Sequence, residues 1–212
     1  MLVSSASNVA VDNLGERLLK EGLNVVRLGH PARVAETMHS VSLSLLVKEM
    51  RDKLEKIKSE VDELKEKQLK KGKKLRPEDK KALEVQLKSL MKHRDKCSLA
   101  LGKLMGDHLK KADIVLSTLT GCRSKGPLEN LPEDHFNMTV IDECGQAMEM
   151  ACWLAIHRSP KLILAGDHLQ LPPTVVSKKA EKKLSISLME RLRERFFYGS
   201  GISSTFHMLN VG

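Results

Sequence analysis

With 36 Lys and Arg against 27 Asp and Glu in 212 residues, the chain carries a formal net charge of +9 and favours polyanionic partners. Hydrophobic residues at 41% are a modest share, enough for one domain with an insertion, and aromatics at 3%, with one Trp and one Tyr, leave few candidates for base stacking. No apolar run reaches membrane-spanning length, no signal peptide opens the chain, and Cys97, Cys122, Cys144 and Cys152 form no CxxC pair, so we expect no membrane partner and a reducing intracellular setting, nucleus and/or cytoplasm.

Residues 1–28 read as strand, helix, strand. Residues 1–4 are a short strand, Ser7 or Asn8 caps a helix reaching Lys20, Gly22 stops it, and residues 23–28 form the next strand. From about residue 43 to 71 the pattern becomes long and helical, with Leu46, Met50, Leu54, Ile57, Val61 and Leu64 spaced by three or four. Residues 72–77 break it. Pro77 suits a first helical turn, and Glu78 and Asp79 suit a helix N-terminus.

The second long helix has a heptad seam, Leu83, Leu87, Leu90, Arg94, Cys97, Leu101, Leu104 and His108, interrupted by Arg94 and His108. Neither helix can bury its stripe alone, so the two predict an antiparallel hairpin with arms about 40 Å long. Between Lys48 and Lys96 there are 18 Lys or Arg and 11 Asp or Glu, an excess of +7. A second basic cluster gathers Lys178, Lys179, Lys182 and Lys183. Such an excess suits phosphate contacts, and equally a solvated helical surface. His93 and Cys97 stand four apart on one helix face without a partner pair, so no metal site is assigned to them.

After Ala112 the strands resume. Residues 113–117, 139–141 and 161–165 are strands, a Gly/Ser/Pro-rich loop runs to Pro132, and residues 146–157 and 185–195 are helices. This alternation predicts an α/β fold with a parallel, doubly wound sheet. Two of the apolar runs stop abruptly in polar clusters. One ends in Val140-Ile141-Asp142-Glu143, with Gln146 three residues on. The other ends in Gly166-Asp167-His168-Leu169-Gln170-Leu171-Pro172-Pro173. A buried parallel strand delivers such residues to the carboxyl edge of the sheet, where ligands bind. Two adjacent carboxylates at one strand tip suit a nucleoside triphosphatase: the first holds magnesium, usually through water, and the second polarises the attacking water. Cys144 and Cys152 flank this segment and read as small buried fillers.

Asp142-Glu143-Cys144-Gly145-Gln146 and the Gly166–Pro173 segment resemble motifs II and III of superfamily 1 helicases, in the group of the nonsense-mediated-decay and immunoglobulin mu-binding protein 2 helicases. Ser7-Asn8-Val9-Ala10-Val11-Asp12-Asn13-Leu14 resembles motif Ia of that group, Arg27-Leu28-Gly29-His30-Pro31 the strand end after it, and Ile114-Val115-Leu116-Ser117-Thr118 the strand before motif II. The similarity runs in family order from residue 1 to about Leu192. It implies a RecA-like P-loop NTPase motor domain formed by residues 1–44 and 112–198, interrupted by a helical hairpin insertion at 45–111, with 199–212 leading toward a second motor domain. It also implies ATP and Mg2+ as cofactors and 5′-to-3′ movement on single-stranded or duplex DNA and/or RNA. Ribonucleoprotein partners and a monomeric state are expected.

By the same resemblance Asp142 orders magnesium through water and Glu143 is the general base. Gln146, Gly166 and Asp167 border the nucleotide, and Gln170 senses its γ-phosphate. Ser7, Asn8, Asp12, Thr118, Pro172 and Pro173 face nucleic acid, a role compatible with helix capping by Ser7 and Asn8. The family's Gly-x-x-x-x-Gly-Lys-Ser/Thr loop does not occur in the sequence, and Phe206-His207-Met208-Leu209-Asn210-Val211 resembles only the approach to the second domain. The expectation is therefore an internal piece of an ATP-dependent helicase that is inactive by itself. The alternative is a catalytically inactive homologue that binds nucleic acid or a partner.

Overall fold

Five short runs rich in Val, Ile and Leu lie side by side in the computed structural model, which describes residues 1–71, 76–167 and 169–197. In chain order the elements are β1 (Leu2–Ser5), α1 (Asn8–Lys20), β2 (Val25–Arg27), α2 (Leu43–Leu46), α3 (Lys48–Lys71), α4 (Pro77–Lys111), β3 (Ile114–Thr118), β4 (Thr139–Asp142), α5 (Glu149–Ile156), β5 (Leu162–Leu164), α6 (Lys178–Leu184) and α7 (Leu188–Phe197). All strand pairs are parallel, in the order β2-β3-β1-β4-β5. This is the α/β sheet expected of a RecA-like domain.

Side chains alternate between the two faces, as the pleat requires. Val3, Val25, Ile114 and Leu116 pack with Val11, Val34 and Met38 on the face covered by α1. Leu2, Val26, Val115 and Ile141 pack on the other face with Leu109 of α4, Cys152 and Ala155 of α5 and Leu188 of α7. The chain enters α1 through Ser7, whose Oγ accepts a hydrogen bond from Ala10 N at 3.1 Å. Gly22, at φ 78°, turns the chain toward β2.

The expected hairpin forms, but its arms are unequal. Leu54, Ile57 and Val61 of α3 bury against Cys97, Leu87, Leu90 and Met91 of α4. At 35 residues, or roughly 52 Å, α4 outruns α3 with its 24. Its last three turns belong to the core of the sheet, where Leu109 is fully buried and Leu101, Leu104 and Met105 pack around it. A Cβ at Gly106 would stand 3.0 Å from the Asn130 carbonyl oxygen, so the loop of the 3-10 turn Pro127–Asn130 lies directly on the helix. The single seam thus serves two cores. The break expected at 72–77 falls largely on residues 72–75, outside the described residues.

Other bounds shift for local reasons. The helix expected from 146 to 157 is split into a 3-10 turn, Cys144–Gln146, and α5, because Ala147 is extended (φ −97°, ψ 132°) and Met148 bridges Ser187. The helix expected at 185–195 starts at Leu188, where the Ser187 Oγ accepts from Glu190 N at 3.1 Å. The Lys178–Lys183 cluster lies on α6, whose lysine-rich sequence lacks an apolar stripe that periodicity would reveal. No described helix is long and apolar enough to cross a membrane.

Candidate functional site

Chain direction singles out one place on the sheet. From β1 the chain passes through α1 to β2 on one side, whereas from β4 it passes through α5 to β5 on the other, and the two helices cover opposite faces. The adjacent strands β1 and β4 therefore bracket a topological switch point, and the crevice beyond their carboxyl ends is where open parallel sheets bind ligands. Ser5 ends β1 there, paired in register with Thr118 of β3 and Asp142 of β4. Its hydroxyl is buried and, among the described residues, has no hydrogen-bond partner.

Asp142 closes β4 half-exposed, and Glu143 follows in a left-handed conformation, φ 53° and ψ 37°. A glutamate held there costs about 1–3 kcal/mol, a strain typical of functional turns. Hydrogen bonds across to β5 maintain it: Cys144 N donates to Ala165 O at 2.9 Å and Ala165 N to Ile141 O at 2.8 Å. Gln146 Nε2 donates to Glu143 Oε2 at 3.3 Å and restrains the carboxylate. Among the described residues no three His, Cys, Asp or Glu gather as a metal cage, so Asp142 offers a single strand-tip carboxylate.

Gly166 explains how the two segments touch. Its φ is 144°, and a Cβ there would meet Cys144 N at 2.8 Å and Gly145 N at 3.2 Å. Both obstacles are backbone and cannot swing aside. Gly166→Ala is therefore expected to lower unfolding free energy by at least about 2 kcal/mol, measured by denaturant unfolding; an unchanged midpoint would refute this packing.

Beyond Gly166, Asp167 organises a turn: Leu169 N donates to Asp167 Oδ1 at 2.8 Å and Gln170 N to Asp167 O at 3.4 Å. Pro172 is exposed, whereas Pro173 is buried, which corrects its expected contact with nucleic acid; His168 lies outside the described residues. Gln170 is exposed, and among the described residues its side chain makes no hydrogen bond to Asp142 or Glu143. Asp142, Glu143, Gln146 and Gly166 are thus brought together, while Gln170 stays on the outer turn.

At the start of α1, Ser7 is exposed and Asn8 half-exposed; Thr118 is half-exposed at the tip of β3, its hydroxyl 3.3 Å from that of Thr120. Asp12 is withdrawn from this surface, which corrects its expected contact with nucleic acid. It is 5% exposed, and both its oxygens are engaged, one by Arg27 Nε at 2.6 Å and the other by Ala35 N at 2.9 Å. Arg27, fully buried, was not singled out from the sequence. Its signal is there all the same: a lone charge inside the apolar run Val25-Val26-Arg27-Leu28 needs a buried partner.

The four cysteines are buried free thiols. A hydrogen bond with Cys152, and then burial, push the Cys144 thiol up, away from the nucleophilic thiolate and in keeping with a packing role. Glu149 of α5 meets Arg191 of α7 in a two-pronged ion pair at 2.5 and 2.7 Å, and Trp153 Nε1 donates to the same carboxylate at 3.1 Å. The Arg191 guanidinium holds the Glu149 carboxyl below its ordinary range.

Similarity to known proteins identifies the family. Residues 1–178 match the family described as an AAA domain. The chain is 40% identical over 211 residues to DNA-binding protein SMUBP-2 of Mus musculus, covering 95% of this chain and 20% of that protein. It is 35% identical over 196 residues to DNA polymerase alpha-associated DNA helicase A of Schizosaccharomyces pombe, covering 91% and 27%. Against ATP-dependent helicase NAM7 of Saccharomyces cerevisiae the identity is 34% over 200 residues, covering 91% and 18%. The chain spans about one fifth of the length of the first of these relatives. It belongs to the AAA domain family, within the superfamily 1 helicase group that these relatives represent.

Proposed function

We propose that this chain is part of the first motor domain of an ATP-dependent 5′-to-3′ helicase or translocase acting on DNA and/or RNA inside the cell, in the nucleus and/or cytoplasm. The observation that carries the reading is the junction at the switch point, where the strained Glu143 and the adjacent Asp142 meet the backbone at Gly166. Residues 1–44 and 112–198 form the motor domain, 45–111 the inserted hairpin, and 199–212 the approach to a second motor domain. The names of the relatives, a DNA-binding protein, a DNA helicase and an ATP-dependent helicase, support the helicase reading.

In this reading Asp142, a half-exposed carboxylate at the tip of β4, would hold Mg2+ through water. The ion supplies charge neutralisation to the phosphate oxygens of ATP. Glu143 takes the proton of the attacking water, Gln146 steadies Glu143, and Gly166 lets the following turn approach. Asp167 shapes that turn, and Gln170, on its exposed face, is placed to meet the γ-phosphate when the two motor domains close. The phosphate loop comes from elsewhere in the longer protein, its strand pairing with the open edge of β5. That strand reads as a buried one, yet Leu162 and Ile163 are 38% and 47% exposed.

Ser7, Asn8, Thr118 and Pro172 face the nucleic acid, with the basic hairpin and the exposed lysines Lys178, Lys179, Lys182 and Lys183 of α6 adding phosphate contacts. The test is nucleic-acid-stimulated ATP hydrolysis by the full-length protein, together with oligonucleotide binding across salt. Each neutralised phosphate steepens the salt dependence by roughly 0.9 in the log–log slope on duplex DNA. Stimulated hydrolysis and steeply salt-sensitive binding are expected. Salt-sensitive binding without hydrolysis would favour the catalytically inactive alternative, and binding unchanged from low to moderate salt would remove the electrostatic account.

A further inference from the structure

The buried Arg27 sits at the end of β2 with its guanidinium reaching across to α1. Nε donates to Asp12 Oδ1 at 2.6 Å, Nη2 donates to Asn8 Oδ1 at 3.0 Å, and Nη1 donates to the Leu28 carbonyl. Asp12 Oδ2 in turn accepts from Ala35 N at 2.9 Å. Arg27 and Asp12 thus together tie the strand end, the first turns of α1 and the loop at Ala35, all at the carboxyl edge of the sheet.

The contact with Asn8 has a chemical consequence. A guanidinium carries only donors, so the atom of the Asn8 carboxamide that faces it must be the oxygen. The amide NH2 is therefore turned away from Arg27, on a residue that is half-exposed, and among the described residues it has no partner. An asparagine free to flip could offer either a donor or an acceptor; here it offers donors alone. Ala10 N and Val11 N are taken by Ser7 Oγ and Ser7 O, while the N–H groups of Asn8 and Val9 remain unpartnered among the described residues. Two residues before the cap, the buried Ser5 hydroxyl is likewise without a partner. The strand-to-helix turn therefore concentrates unsatisfied polar hydrogens beside a carboxamide fixed as a donor, which suits a phosphate oxygen, an acceptor only.

We propose that Arg27 is a positioning residue for nucleic-acid binding: by holding Asn8 Oδ1 it locks the Asn8 carboxamide with Nδ2 outward, so that the start of α1 grips a backbone phosphate. The inference rests on the reading above that this end of α1 faces nucleic acid. Asp12 neutralises the buried guanidinium, which explains why a residue of the α1 signature carries a carboxylate that the phosphate never meets.

The test uses the full-length protein and a fluorescent single-stranded oligothymidylate, with thermal unfolding measured alongside affinity. Asn8→Asp keeps the bond from Arg27 and strengthens it with charge, but turns an acceptor toward the phosphate. Its melting temperature should hold, while affinity falls about tenfold or more as a donor contact becomes repulsive. Lys20→Gln, which removes one positive charge at the far end of α1, serves as the charge control and should cost much less. Arg27→Lys keeps the charge beside Asp12 and loses the fork that reaches Asn8. It should weaken binding severalfold alone and add almost nothing to Asn8→Ala, because it acts through that side chain. Asn8→Asp binding like Lys20→Gln would overturn the proposal even if Arg27→Lys failed to fold, and so would additive losses from Arg27→Lys and Asn8→Ala. If the unmodified protein fails to bind the oligonucleotide at any salt, the nucleic-acid reading falls, and this inference with it.

Discussion

Glu143→Gln in the full-length protein is expected to reduce ATP hydrolysis by about 100- to 10,000-fold, the range for losing a general base, with ATP affinity nearly unchanged. Glutamine matches glutamate in shape but cannot take a proton from the attacking water. The surroundings should survive the exchange. The Gln146 Nε2 bond at 3.3 Å needs only an oxygen on residue 143, which glutamine supplies. The left-handed backbone is held by main-chain bonds from Cys144 and Ala165 that the substitution does not touch. Phosphate release under saturating nucleic acid, paired with binding of a fluorescent ATP analogue, separates the two effects. Normal turnover by the variant would remove Glu143 from the chemistry, and loss of ATP binding would make its role structural.

The second large effect separates the 212 residues from the longer protein. The isolated chain is expected to show no measurable ATP hydrolysis and no unwinding, whereas the full-length protein turns over. Phosphoryl transfer depends on backbone amides and a lysine cradling the β- and γ-phosphates, and on positive charge from a facing domain. The sequence has Asp142, Glu143, Gln146 and Gln170 but no Gly-x-x-x-x-Gly-Lys-Ser/Thr segment. Among the described residues β5 is an edge strand, a physical handicap, since its exposed Leu162 and Ile163 and an uncovered strand edge invite self-association. Robust phosphate release by the isolated chain, with no contaminating enzyme, would mean that a phosphate cradle exists within these residues.

Much of this was legible from the residues. Parallel strands buried on both faces are written as short runs of Val, Ile and Leu, so β1 to β5 could be read from composition and turn signals. The two arms of the hairpin showed in apolar spacings of three and four, because a solvated helix must hide a stripe. Asp142, Glu143 and Gly166 stood out because each follows the abrupt end of an apolar run, which places it at a strand tip. Helix α6 was invisible because its lysines carry no periodic apolar signal, and the break before α5 because extended backbone at Ala147 and Met148 depends on a bridge to Ser187, far along the chain.

By itself, then, the sequence determined most element types, the hairpin and the presence of two polar strand tips, all of which rest on local periodicity. Only the tertiary structure decided strand order, and with it the switch point between β1 and β4 that makes those tips a site. It also divided α4 between the hairpin and the main core, and it moved Asp12 from the presumed contact surface into a buried pair with Arg27. The physical reason is the same in each case. Periodicity reports which face of an element is covered, but not by what, and a charge's partner is set by packing across 15 residues of chain rather than by its neighbours in sequence.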